Sequence, residues 1–270
     1  MGWYLLLFAI GLCGGLLAGM IGVGGGVVYI LVLPYLLTEM GVNDQEIVQY
    51  TIANSLIGTL FASLSGNVTL IIQKQFFWKE TLLLGLPAAL CSLLALNVIV
   101  NTPGYQKEQF NLIIILLSAF IIFRTMYSVY RSQDKLAEKK VKPWYMGITG
   151  ALAGMASAVS GMGGGVIVIP VLNLWFKMRM KKTRSISLGV ICIVSATVTL
   201  INIMEKPQSV VNQPSAGFVV LPLALVLSLG VMIASPFGVK LSQKLSNRTI
   251  SYIFVAFMTV IIIEKAAHFL

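Results

Sequence analysis

Two short runs of glycine carry most of the chemistry this sequence offers. Gly22-Val23-Gly24-Gly25-Gly26 lies inside the apolar stretch 3–37, and Gly161-Met162-Gly163-Gly164-Gly165 lies inside the apolar stretch 143–176. Glycine has no side chain and tolerates positive φ, so a run of it lets a helix stop and reverse in little space. The arms leaving these turns, from Val27 and Val166, would start with free N–H groups and a positive dipole end facing the turn. Backbone donors arranged this way bind an anion without a charged side chain. The candidate substrate-binding set is therefore Gly24, Gly25, Gly26, Gly163, Gly164 and Gly165. Asn54, Ser55, Ser160 and Ser187 add side-chain donors near these runs or at matching positions of the next segment. Gln49, Ser63 and Asn67 are weaker candidates, and a Ser or Thr in a membrane helix often bonds its own backbone. Arg184 closes the basic cluster Lys177–Arg184, which would raise the local concentration of anions at a vestibule if it does more than orient the chain.

Other chemistry has little to work with. No Asp, Glu or His falls deep in an apolar stretch; Glu39, Glu80, Glu205, Glu264 and His268 all sit at edges. Acid–base and metal catalysis need such groups, so an enzyme is disfavoured and no metal or other cofactor is expected. A buried carboxylate relay for protons is disfavoured for the same reason. GVGGGV lacks the third glycine of a dinucleotide fingerprint and has no βαβ context. Cys13, Cys91 and Cys192 show no paired or metal-like spacing; they read as small buried residues, with a thiol relay toward a sulfur substrate as the sharper alternative.

The elements that must position the glycine runs are membrane helices. Of 270 residues, 57% are hydrophobic and 10% charged, which is far from a soluble domain. Apolar stretches at 3–37, 47–72, 79–100, 108–130, 143–176, 185–204, 216–239 and 248–268 give an all-α polytopic membrane protein. The net charge of +10 gathers at span ends and short loops, which points to a bilayer and not to nucleic acid. The N-terminus lacks the basic start of a signal peptide and would begin the first span.

The chain also repeats itself. Leu17-Ala18-Gly19-Met20 matches Leu152-Ala153-Gly154-Met155, the glycine runs match, and Thr51 to Leu56 faces Thr183 to Leu188. The period is about 135 residues, as in secondary transporters with duplicated halves. We divide the chain into a first repeat at 1–130, a basic cytoplasmic linker at 131–142 and a second repeat at 143–270. If each long glycine-bearing stretch crossed once, the Lys and Arg residues would split about evenly between the two sides. If each is instead a re-entrant hairpin, 16 of the 19 fall on one side, leaving only Lys107, Lys206 and Lys265 on the other. That asymmetry predicts two hairpins, halves of inverted orientation, and both termini outside the cytoplasm of the cell (inner) membrane.

The stretches GLLAGMIGVGGGVVYILVLPYLL (15–37) and GALAGMASAVSGMGGGVIVIPVL (150–172), with ASPFG at 234–238, resemble the TauE/SafE family of membrane permeases. The resemblance covers nearly the whole chain. It implies a secondary transporter, in the export direction, of a small sulfur-containing anion such as sulfite or an organosulfonate. The residues alone give an anion-binding transporter with duplicated halves. They leave open an anion channel, or a carrier for a carboxylate or another inorganic anion. The expected partners are the small anion and the lipid bilayer, and oligomeric state is left open. Asn54 stands where the repeat mate has Ile186, so the site need not be symmetric. Replacing a tip glycine, as in Gly25→Leu or Gly164→Leu, is expected to stop transport in a protein that still folds.

Overall fold

Apart from residues 216–220, the described apolar stretches free of glycine runs form helices. The computed structural model describes residues 2–102, 104–130, 141–209, 211 and 213–267. The first half holds α1 (Gly2–Ile21), α2 (Gly26–Glu39), α3 (Ile47–Ile72), α4 (Trp78–Ala95) and α5 (Lys107–Tyr130). The second holds α6 (Pro143–Ser160), α7 (Gly165–Pro170), α8 (Met180–Met204), α9 (Leu221–Lys244) and α10 (Asn247–Ala267). A π-helical stretch, Leu96–Val100, extends α4, and another, Val171–Trp175, extends α7 directly after Pro170. Proline has no N–H to give the preceding turn, so the helix relaxes there. Of the basic linker, only residues 141 and 142 lie among those described. Lys142 is extended, as the residue before a proline must be, and Pro143 opens α6.

Seven helices among the described residues are long and apolar enough to cross a bilayer: α1, α3, α4 with its extension, α5, α8, α9 and α10. Large apolar side chains such as Leu86, Leu90 and Leu94 on α4 and Leu225 and Leu229 on α9 point outward, where lipid is their solvent. The chain is a multi-pass, all-α membrane protein.

Small residues decide which helices touch. In lipid, helices gain no hydrophobic drive toward each other, so close backbone approach is what holds them. Gly11, Gly15 and Gly19 of α1 lie on Leu227, Val231 and Ser235 of α9. Gly150 and Gly154 of α6 lie on Leu84 and Ala88 of α4. Each glycine-bearing arm thus packs on a helix of the other half. Contact positions rise together along both pairs, so each pair is parallel. Gly189 on Thr81 and Gly85 on Ile193 make α8 parallel to α4, and Gly58 on Leu227 with Gly66 on Ser235 make α3 parallel to α9. Between α3 and α8 the order reverses. Asn67 Nδ2 donates to Leu188 O (3.2 Å), while Ser63 meets Cys192. Hence α1, α3 and α9 run one way and α4, α6 and α8 the other. Because α1 and α3 share a direction, α2 carries the chain back between them, and α7 does the same between α6 and α8.

Two boundaries and the burial of the cysteines differ from the sequence reading. α8 starts at Met180, not 185, so Arg184 lies inside its first turns and is 5% exposed. Residues 216–220 do not open α9; Ser215–Ala216 and Val219–Val220 pair as a short antiparallel hairpin turned at Gly217. The cysteines are less buried than expected: Cys13 is exposed and Cys91 and Cys192 are half-buried.

Candidate functional site

The two glycine runs turn the chain in the same way. Gly22 and Gly24 have φ of +82° and +95°, and their counterparts Gly161 and Gly163 have +68° and +79°. Side chains rarely adopt these angles, which is why glycine recurs at the same two places. α2 then begins at Gly26 and α7 at Gly165.

The turns also cross each other. A methyl group on Gly165 would stand 2.6 Å from the Gly22 carbonyl oxygen, and one on Gly26 would overlap the Gly161 carbonyl oxygen. At Gly24 a methyl would stand 3.2 Å from Met162 O, and at Gly163 3.5 Å from Val23 O. The crossing lies beside Thr59 and Ile191, which sit near the midpoints of α3 and α8. All of Gly22–Gly26 and Gly161–Gly165 is buried.

Of the residues singled out in the sequence, Gly24–Gly26, Gly163–Gly165, Ser55 and Ser187 come together at this crossing. The two serines play matching parts. Ser55 Oγ donates to Gly161 O (2.7 Å), and Ser187 Oγ donates to Gly22 O (2.6 Å). Each hydroxyl thus ties its helix to the glycine turn of the other half. Asn54, one residue before Ser55, is fully occupied. Its Nδ2 donates to Tyr50 O and Phe218 O (2.8 and 2.9 Å), and its Oδ1 accepts from Val220 N (3.0 Å). It fastens the 215–220 hairpin onto α3. Ser160 turns back on its own helix, donating to Ala156 O (2.6 Å) and accepting from Met162 N (3.3 Å).

Arg184 stands below the first turn, its Cα and Cβ facing Gly22, and Nη1 donates to Ser242 O of α9 (3.2 Å). With Gly19, Lys181, Leu188 and Ser242 it lines a cavity of about 20 Å³. That is room for about one water and not for an oxyanion. On the opposite side, Glu46 straps the 40–46 loop to the segment before α9: its carboxylate accepts from Gln208 N (2.9 Å) and Ser209 N (2.7 Å). Tyr50 and Phe218 meet edge to face beneath it. The crossing is closed from both sides.

The sequence reading passed over Thr59, Ser195 and Thr199. Positions 51, 55, 59, 63 and 67 of α3 are Thr, Ser, Thr, Ser and Asn; the matching positions 183, 187, 191, 195 and 199 of α8 are Thr, Ser, Ile, Ser and Thr. This four-residue spacing places one polar stripe on each central helix, and it was visible in the sequence. Every polar member is buried, and the hydroxyls of Thr59, Thr183, Ser195 and Thr199 have no hydrogen-bond partner among the described residues. No group of three or more His, Cys, Asp or Glu that could hold a metal occurs among the described residues.

The family model described as Sulfite exporter TauE/SafE matches residues 7–264. The chain belongs to the TauE/SafE family. A probable membrane transporter protein of Methanocaldococcus jannaschii is 25% identical over 245 residues, covering 90% of this chain and 88% of its own. One from Haemophilus influenzae is 23% identical over 261 residues, covering 96% and 97%. One from Bacillus subtilis is 23% identical over 261 residues, covering 92% and 91%. No solved structure matches the chain. This TauE/SafE member is a membrane transporter and not an enzyme.

Proposed function

We propose that the protein is a secondary transporter that exports a small sulfur-containing oxyanion, such as sulfite or an organosulfonate, by exposing one site alternately to the two sides. The crossing of the two glycine turns at mid-height carries this reading. There the N-terminal end of α2 meets the second turn, and no acidic side chain is among the residues that touch the glycine runs. The family's printed description supplies the sulfite class. Burial of the crossing from both sides favours a carrier over a continuously open channel, since a channel needs a through path. The opposed directions of α1 and α6, α3 and α8, and α4 and α9 support inverted halves, the arrangement by which many carriers alternate. The reading includes both termini outside the cytoplasm of the inner membrane and Arg184 on the cytoplasmic approach. As an anion-collecting charge, Arg184 would raise local substrate concentration at the closed gate.

The test is a thermal-shift series on detergent-purified protein with sulfite, thiosulfate, sulfoacetate, taurine, acetate and sulfate at matched ionic strength. A ligand that binds only the folded state raises stability with the logarithm of its concentration over its dissociation constant. A concentration-dependent rise with one sulfur anion and none with acetate is expected. A rise with acetate alone would move the substrate class to carboxylates.

A further inference from the structure

Two members of the α3 stripe touch both glycine turns: Ser55, whose hydroxyl is committed to Gly161 O, and Thr59. The Thr59 methyl, Cγ2, would stand 2.9 Å from a methyl on Gly24 of the first turn and 3.0 Å from one on Gly163 of the second. Its hydroxyl, Oγ1, would stand 2.9 Å from a methyl on Gly26, at the start of α2. Thr59 is fully buried, and its hydroxyl has no partner among the described residues.

Thr59 shares that state with Thr81, Thr183 and Thr199, while other helical threonines bond their own backbone. Thr51, Thr69, Thr149, Thr197 and Thr259 each donate to the carbonyl four residues back, at 2.6–3.1 Å. This back-bond is the cheap way to satisfy a hydroxyl in lipid. Thr59 does not take it. Leaving a buried hydroxyl unpaired has a free-energy cost, and such a group calls for an explanation. Among the stripe residues Thr59 alone contacts both turns and has a hydroxyl with no partner among the described residues.

The second half answers with a different residue. Ile191 occupies the place related to Thr59 by the repeat, against Gly165, Gly163 and Gly24. The same contrast occurs behind the turns. Tyr29, buried with an unpartnered hydroxyl against Gly14 and Gly25, has Val168 at the matching position. The crossing is symmetric in backbone and in its Ser55 and Ser187 ties, yet its uncommitted side-chain donors come from the first half.

We propose that Thr59 is the side-chain donor to the transported oxyanion at the crossing of the glycine turns, and that the site is one-sided, with Ile191 forming its apolar wall. The hydroxyl donates to an anion oxygen when the turns part, supplementing backbone N–H groups. Ser55 and Ser187 stay on carbonyls and hold the turns. Recognition by neutral donors suits a small oxyanion that must also leave, because no fixed countercharge retains it. The proposal rests on the transport reading above.

The experiment uses the full chain in proteoliposomes loaded with sulfite. Thr59→Val keeps the shape and removes the donor; Thr59→Ser keeps the donor. Both are checked for an unchanged melting temperature. Thr59→Val is expected to lower flux at least about tenfold, the loss of one hydrogen bond to a charged group, with Thr59→Ser close to the native rate. Native flux in Thr59→Val would overturn the proposal. A second measurement does not depend on sulfite being the substrate. Thr59→Cys, with Cys13, Cys91 and Cys192 changed to Ala, is exposed to a membrane-impermeant methanethiosulfonate bearing a sulfonate, beside the same background carrying Leu56→Cys. Labelling at 59 and not at 56, slowed by the transported anion, supports Thr59 on the anion path. Absence of labelling at 59 overturns it even if native protein moves sulfite. A native protein that moves no sulfur anion, but is labelled at 59, sinks the substrate class and leaves the Thr59 site standing.

Discussion

Ser55 and Ser187 each put a hydroxyl on a carbonyl of the opposite half's turn, at 2.7 and 2.6 Å. Replacing either by alanine leaves that buried carbonyl without its side-chain donor. The expected cost is about 1 kcal/mol for each, read as lower melting temperatures in detergent. The double variant is expected to depart from the sum, because both bonds fix the same crossing. If either single variant kept native stability and lost transport, the serine would be a substrate ligand and not a tie. Asn54 makes three bonds to two elements, so Asn54→Leu is expected to be the most destabilising of these changes. Tip glycines are poor probes by comparison. A side chain on Gly25 runs into the Tyr29 ring, and one on Gly164 stands 2.8 Å from Ala153 O. Gly25→Leu and Gly164→Leu would therefore disturb packing as well as the site, contrary to the sequence-based expectation of an intact fold.

Helix pairs are the units that fix where the turns lie. α6 can lie on α4 because Gly150 and Gly154 bring its backbone onto Leu84 and Ala88; a methyl on Gly154 would overlap the Ala88 carbonyl oxygen. Gly154→Leu is expected to leave little monodisperse protein after extraction from membranes. Gly41 makes the contrast. Its φ is +86° but nothing lies within 4 Å of an added methyl. Gly41→Ala is expected to cost only backbone strain, about 1–2 kcal/mol, with folded yield close to native. Equal yields of the two variants would mean that close helix approach does not hold this fold together. The Glu46 strap is the matching device at the loop end. Its two charge-assisted bonds to Gln208 N and Ser209 N join loops from different halves. Glu46→Ala is expected to shift the population toward a state open on that side. The reading is faster labelling of a cysteine at 59 from that side; unchanged labelling would make the strap irrelevant to gating.

Across the whole molecule, orientation follows from charge. With α2 and α7 returning the chain, Lys74, Lys79, Arg124, Lys142, Lys177, Arg179, Lys181, Lys182, Arg184, Lys240, Lys244 and Arg248 share one side among the described residues, against Lys107, Lys206 and Lys265. The first set is expected to face the cytoplasm. A reporter active only in the cytosol should be silent when fused at the C-terminus and active when inserted near residue 177. The opposite pattern would reverse the transport direction proposed above. By itself the sequence determined the membrane class, the two glycine turns and their duplication. These are set locally, by apolar run length and by the inability of other residues to adopt positive φ. It placed Ser55 and Ser187 near the turns as well. The tertiary structure decided what those residues do. Whether a hydroxyl donates to its own helix, to a turn of the other half, or to no protein group depends on rotamer and on which backbone lies within 3 Å. That in turn depends on the registers of α1 on α9, α6 on α4 and α3 against α8. Such registers are set by contacts between residues more than 100 positions apart, such as Ser55 to Gly161 and Ser187 to Gly22. For this reason the 215–220 hairpin held by Asn54, the burial of Arg184 and the uncommitted hydroxyl of Thr59 emerged only from the folded chain.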